Sequence, residues 1–159
     1  MAVLEEMKTK YGENYPIFLS DFGMDGATRA YLSRSVAEGL IKRFASGIYF
    51  FPKQTRFGTG TLSLSTVYRR KYICDADEVF GYYSGLSFQQ QIGYTTQVPN
   101  IPEIVTNKEA SARRVVSLDG KRQVILRMPR VAVTKENADI LPLMDLITAE
   151  EVKALRQKR

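Results

Sequence analysis

The chain of 159 residues contains 44% apolar residues, one cysteine and no histidine, and it has a formal net charge of +6. These values predict a globular protein of one or two small domains, with an anionic partner such as nucleic acid or an anionic membrane surface. Without histidine the chain cannot form a Cys/His zinc site, a Cys-His dyad or a His-dependent serine triad.

Targeting and cofactor motifs are missing from the sequence. No apolar run reaches the length of a membrane span, and the charged start MAVLEEMKTKYGENY is unlike a signal peptide, so we expect a cytoplasmic protein. The stretch Phe57–Thr61 lacks the Lys-Ser/Thr pair of a phosphate-binding loop. We therefore expect no cofactor, no metal site and no enzymatic activity.

The first elements in chain order are predicted to be helical. Apolar residues at helical spacing predict a helix over Val3–Tyr11 that ends at Gly12. Pro16 then opens a short second helix, IFLSDF, which leads into a tight turn at Gly23–Gly26.

A third helix is predicted over Gly26–Glu38, and Gly39 marks its end. Asp25 is its predicted N-cap, because the carboxylate can accept hydrogen bonds from amides of the first turn. The stripe that faces the other helices is predicted to contain Leu32, Val36 and Leu40.

The opposite side of this helix carries Ala27, Tyr31, Arg34 and Glu38, and Thr28 and Arg29 lie near its exposed N-terminal end. The candidate base contacts are Thr28, Arg29, Tyr31 and Arg34. The following segment, IKRFASGIYFFP, is predicted to form a hairpin in which Lys42, Arg43 and Ser46 contact phosphates. This order of elements is typical of a winged helix-turn-helix, whose second helix enters the major groove. A protein-interaction module with a solvated basic face is the alternative interpretation.

A boundary is predicted at Pro52–Thr61, because this stretch is rich in breakers and polar residues. It separates a DNA-binding domain at residues 1–58 from a C-terminal domain at residues 62–159. The predicted fold class is therefore α+β, with an N-terminal winged helix-turn-helix followed by a small mixed α/β domain.

The second half is predicted to alternate between helices and strands. LSLSTVYRRKY is predicted to be helical, Asp75–Glu78 to be a charged break or a first helical turn, and Ser84–Gly93 to be a helix. IPEIVTNK is a predicted strand, and RRVVSLDGKRQVILR a hairpin with an Asp119-Gly120 turn. ADILPLMDLI is the last predicted helix, and EEVKALRQKR is either a further helix or a frayed end.

Positive charge is concentrated in this half. Residues 108–135 contain eight basic and two acidic residues, so their net charge equals that of the whole chain. The candidate phosphate contacts of the hairpin are Arg113, Arg114, Lys121 and Arg122. Alternatively, these cations dock an acidic protein, or they protect exposed strands from edge-to-edge pairing.

Two blocks of the sequence resemble AbiEi-type antitoxins, the antitoxin half of type IV toxin-antitoxin systems. LSRSVAEGLIKRFASGIYFFP (Leu32–Pro52) resembles their N-terminal winged helix. YYSGLSFQQQIGYTTQVP (Tyr82–Pro99) is similar to their segment in which a helix leads through a turn into Gln-Val-Pro. The resemblance covers most of residues 15–147.

The resemblance implies a cytoplasmic autorepressor that binds double-stranded DNA at repeats in its own promoter. It also implies an antitoxin that counters a nucleotidyltransferase-like toxin, often without a stable complex. The chain is short for this family, which fits a compact member or a truncated one.

Two other functions remain open from the sequence. One is a protein-interaction module that neutralises a toxin by direct binding through the basic C-terminal hairpin. The other is an enzyme that modifies the toxin by phosphotransfer, which would need an Asp or Glu base and has no nucleotide-binding motif to support it.

Overall fold

The computed structural model describes residues 2–158, whose helices and small β-sheets confirm the predicted α+β class. The chain divides into two compact units, Met1–Tyr68 and Arg69–Arg159, which we call the N-terminal unit and the C-terminal unit. No helix within residues 2–158 combines the length and the apolar composition that crossing a membrane requires.

The N-terminal unit combines helices with small antiparallel sheets. Its elements are α1 (Ala2–Tyr11), β1 (Ile17–Phe18), α2 (Leu19–Phe22), α3 (Gly26–Ala37), β2 (Lys42–Ala45), β3 (Ile48–Phe50), β4 (Gln54–Thr55), β5 (Gly58–Thr59) and α4 (Leu64–Tyr68). Strands β1, β3 and β2 are neighbours in that order, with Ile17 opposite Tyr49. The predicted first and third helices and the hairpin after them are confirmed.

The segment after Pro16 differs from the predicted helix. Ile17 and Phe18 form a strand, and only Leu19–Phe22 are helical. Ile17 is fully buried, and pairing with β3 satisfies backbone groups that burial removes from water. The Phe18 N–H then donates to Asp21 Oδ2 at 2.7 Å, which closes the single turn of α2.

The core of the N-terminal unit corrects the predicted stripe of α3. Leu32 is fully buried and Val36 packs against the core, as predicted, but Leu40 is 43% exposed. Gly39 takes a φ of 76°, so the helical periodicity stops before Leu40, and Ile41 enters the core instead. The buried cluster consists of Leu4, Ile17, Leu32, Ile41, Tyr49 and Phe51.

The stretch predicted to be a linker is an ordered part of the N-terminal unit. Residues 54–59 form the β4–β5 hairpin, and the Lys53 N–H donates to Asn14 Oδ1 at 3.1 Å. Gly60 closes the loop by donating to the Lys53 carbonyl, and a Cβ at Gly60 would lie 2.6 Å from Asn14 Nδ2. The unit continues through α4 to Tyr68, whereas the sequence prediction begins the second domain at residue 62.

The C-terminal unit contains a mixed sheet with helices. Its elements are a π-helical turn (Arg69–Ile73), β6 (Cys74–Asp75), β7 (Glu78–Val79), β8 (Gly81–Ser84), α5 (Gly85–Gln91), β9 (Glu103–Thr106), β10 (Arg114–Ser117), β11 (Gln123–Arg127) and α6 (Leu141–Gln157). The strand order is β10-β11-β9-β8, and the β11–β9 pair is parallel. The predicted helix near Ser84, the strand β9 and the basic hairpin are confirmed.

One strand of this unit was not predicted, and the structure decides between two alternatives for each of two other segments. Asp75–Glu78 spans the turn between β6 and β7, in which Ala76 has a φ of 50°. Strand β8 precedes α5 and was not predicted. Helix α6 begins at Leu141 and runs unbroken to Gln157, so the tail continues the last helix.

Helix α6 is packed at its start and exposed beyond it. Pro142 is buried, and Leu141 packs against a cluster of Tyr82, Val105 and Val133. The opposite side leaves large apolar side chains in solvent: Leu143, Met144, Ile147 and Leu155, each at least 45% exposed.

Candidate nucleic-acid interface

The start of α3 is fixed by its predicted cap. Asp25 Oδ1 accepts a 2.6 Å hydrogen bond from the Thr28 N–H. Hydrogen bonds from the side chain and backbone of Thr28 hold the pKa of Asp25 below its ordinary value. The first turn of α3 therefore has a defined position, and the Thr28 side chain is half-buried beside it.

Two of the four base contacts predicted on α3, Thr28 and Tyr31, are half-buried rather than exposed. Tyr31 packs against the apolar core on one side and is half-buried. Arg29 and Arg34 are exposed, and the side chains between them on the helical wheel are small and exposed: Ala30, Ser33 and Ala37. The arc is therefore a smooth surface bounded by two guanidinium groups.

The hairpin after α3 carries the predicted cations on β2. Lys42 and Arg43 are both exposed, and Arg43 Nε donates to the Ala45 carbonyl at 3.3 Å. Because successive strand residues point to opposite faces, these two side chains cannot share one face of the hairpin. Ser46 is exposed in the turn, which Gly47 closes with a φ of 71°.

Two predicted cations of the C-terminal hairpin are compensated by carboxylates. Arg114 Nε and Nη2 donate to Glu109 Oε2 at 2.9 and 2.7 Å, and Glu109 is buried. The Arg114 hydrogen bond lowers the pKa of Glu109, which also accepts from the backbone of Ser111. Glu109 therefore anchors Arg114 to the loop that precedes β10.

The second compensated cation is Arg122, in the loop between β10 and β11. Its Nε donates to Asp119 Oδ2 at 2.9 Å. The Asp119 Oδ1 accepts from the backbone N–H groups of Arg122 and Lys121, and these bonds lower the pKa of Asp119. Arg113 and the Lys121 side chain are exposed, and within residues 2–158 neither forms an ion pair.

Two lysines that are not among the predicted phosphate contacts lie beside aromatic rings of the C-terminal unit. Lys108 Nζ lies 4.0 Å from the Phe80 ring centroid, and Lys71 Nζ lies 5.6 Å from that of Tyr72. Burial and the nearby charge of Lys108 lower the pKa of Lys71. Lys71 belongs to the run Arg69, Arg70, Lys71. These three consecutive cations are the feature of the sequence from which Lys71 could have been proposed as a contact.

Metal-binding geometry is not found in the described part of the chain. Across residues 2–158, no three or more Cys, Asp or Glu side chains are grouped so as to hold a metal ion. Cys74 is half-buried with a free thiol.

Comparison with known proteins assigns the chain to a family. The model of a family described as a family of unknown function, DUF6088, matches residues 8–155. Because the match covers nearly all of the sequence, the chain belongs to the DUF6088 family. No curated protein matches it.

Proposed function

We propose that the protein is a DNA-binding transcriptional autorepressor and the antitoxin of a type IV toxin-antitoxin system, in which the N-terminal unit binds DNA. The observation that carries the DNA-binding part of this proposal is the exposed arc of α3, where Arg29 and Arg34 flank small side chains. The resemblance of Leu32–Pro52 and Tyr82–Pro99 to AbiEi-type antitoxins supports the antitoxin part. Helix α2, the turn before Asp25, α3 and the β2–β3 hairpin follow one another in the order of a winged helix-turn-helix.

The chemistry of the arc suits the major groove. An arginine fork can donate two hydrogen bonds to a guanine, which is worth about 1–3 kcal/mol of discrimination against other bases. Small residues between Arg29 and Arg34 let the helix approach the base edges without a steric barrier. Lys42 or Arg43 would add phosphate contacts, which supply affinity without sequence preference.

A gel-shift titration of the full chain tests this proposal. The probes are a duplex from the region upstream of its own gene and a scrambled duplex of the same composition. We expect Arg34→Ala to lose about tenfold or more of the preference for the upstream duplex. Lys10→Ala removes an exposed cation from α1 and should keep that preference.

Two results would overturn DNA recognition by α3. One is equal binding of both duplexes by the unaltered chain. The other is an unchanged preference in both Arg34→Ala and Arg29→Ala, with melting curves that show both variants folded.

A second candidate function is neutralisation of the toxin by direct binding to the C-terminal unit. The exposed apolar side chains of α6, including Met144 and Ile147, favour a protein contact in this unit. The basic hairpin offers Arg113 and Lys121 for acidic groups. Co-purification of the full chain with the nucleotidyltransferase-like toxin supports this candidate, whereas rescue of toxin-expressing cells without co-purification contradicts it.

A further inference from the structure

The C-terminal unit contains a groove that the DNA-binding proposal does not use. It has a volume of about 650 Å³ and lies among the π-helical turn, β8, α5, and the segment that leads into α6. Ligand pockets in proteins usually have volumes of about 300–1,000 Å³. The groove is therefore large enough for one small organic molecule.

Aromatic rings form part of the groove wall. Tyr83 on β8 and Phe88 on α5 line it and are both half-buried. Half-buried rings leave part of their surface open, and that part can stack with a planar group.

Cations line the same groove. Arg69 and Lys135 are exposed, and among residues 2–158 neither forms an ion pair. Asp139 is the acidic residue among those that line the groove, so cations exceed anions there. Arg69 and Tyr83 line the same groove; burial raises the pKa of Tyr83, and the charge of Arg69 acts in the opposite direction.

We propose that this groove binds a purine nucleoside monophosphate. The base stacks on Tyr83 and Phe88, and the phosphate binds Arg69 and Lys135. Gln91 also lines the groove and offers both a donor and an acceptor to a base edge, while Asp139 can accept from ribose hydroxyls. Binding at this site does not depend on DNA recognition by α3.

Isothermal titration calorimetry of the full chain tests the proposal with four probes: AMP, GMP, adenosine and inorganic phosphate. We expect saturable binding of AMP or GMP, with adenosine and phosphate each at least tenfold weaker, because either fragment lacks one set of contacts. Arg69→Gln and Lys135→Gln should each weaken nucleotide binding about tenfold while leaving adenosine binding unchanged. Phe88→Leu should weaken nucleotide and adenosine binding by a similar factor.

The matched control is Lys158→Gln, which removes an exposed cation of the same unit outside the groove. It should bind the nucleotide as the unaltered chain does. If Arg69→Gln fails to fold, Lys135→Gln carries the test, since Lys135 is an exposed loop residue. The proposal is overturned if neither AMP nor GMP binds, if phosphate alone binds equally well, or if Lys158→Gln and Lys135→Gln weaken binding equally.

Discussion

The Tyr82 hydroxyl donates a 2.7 Å hydrogen bond to Asp145 Oδ2 and thereby joins strand β8 to helix α6. The Tyr82 ring is buried with Val105 and Val133, so one side chain contributes both to the core and to the attachment of the helix. Burial and the Asp145 carboxylate both raise the pKa of Tyr82. The phenol therefore remains a hydrogen-bond donor throughout the neutral range.

Replacing Tyr82 by Phe should keep the ring packing and remove this bond. We expect the free energy of unfolding to fall by about 1.5 kcal/mol, since a hydrogen bond to a charged group is lost and Asp145 loses a donor. Urea unfolding followed by circular dichroism measures the change. Tyr94→Phe is the control, because Tyr94 is 63% exposed. Equal stabilities of the two variants would contradict a structural role for the Tyr82–Asp145 bond.

Glu109 gives a pH-dependent prediction. Its pKa is lowered in the folded chain, chiefly by Arg114, so its contribution to stability is complete above the ordinary glutamate pKa of 4.5 and declines as the pH falls further. Glu109→Gln should destabilise the chain by about 1 kcal/mol near pH 7, toward the low end for charged hydrogen bonds because Arg114 is 55% exposed. The difference from the unaltered chain should shrink by about pH 3.

Thermal unfolding at both pH values measures this difference. Glu151→Gln makes the same chemical change at an exposed position of α6 and serves as the control. A destabilisation by Glu109→Gln that stays constant between about pH 7 and pH 3 would show that shape, rather than charge, determines its effect.

Two glycines, Gly81 and Gly26, should respond oppositely to alanine. A Cβ at Gly81 would collide with the Tyr72 carbonyl oxygen and lie 2.8 Å from that of Val105. Gly81→Ala should therefore cost about 1–3 kcal/mol through overpacking. Gly26 begins α3 with open space around its Cβ position, so Gly26→Ala should be neutral or stabilise by up to about 1 kcal/mol. Denaturant midpoints give both values, and a destabilised Gly26→Ala would contradict the second.

The elements that the sequence predicts well are those with local signals. Asp25 and Gly39 set the two ends of α3 through contacts within a few residues, and both are visible in the sequence. Ile17 and Gly81 belong to strands whose partners are distant in sequence, at Tyr49 and Thr106. The two residues of β1 and the four of β8 show no alternation of apolar and polar side chains, so their pairing follows from tertiary packing.

In the candidate site, the sequence likewise does not predict which side chains are buried or ion-paired. The cations of α3 follow from helical periodicity, but the inward position of Tyr31 depends on the core that assembles beside it. In the C-terminal hairpin, the sequence alone gives no reason to distinguish the four cations Arg113, Arg114, Lys121 and Arg122. The structure separates them, because Glu109 and Asp119 are positioned by backbone hydrogen bonds to bind Arg114 and Arg122.

That separation gives the last prediction, which rests on the proposed DNA binding. If the hairpin of β10 and β11 contacts phosphate, Lys121→Gln should flatten the log-log salt dependence of binding by about 0.9, the value expected for one lost phosphate contact. Arg122→Gln should flatten it less, because Arg122 is already paired with Asp119. In the same assay, a flatter salt dependence for Lys42→Gln would show that β2 contacts phosphate, and an unchanged one would show that it does not.

The double variant Arg113→Gln/Lys121→Gln removes the two hairpin cations without ion pairs and leaves Glu109 and Asp119 compensated. It should therefore fold as the unaltered chain does, and its salt slope and its rescue of toxin-expressing cells can be compared directly. A flatter slope with intact rescue assigns these cations to DNA, whereas an unchanged slope with lost rescue assigns them to the toxin. An unchanged slope with full rescue would contradict both roles, because the same charges then serve only to solvate the edge of the sheet.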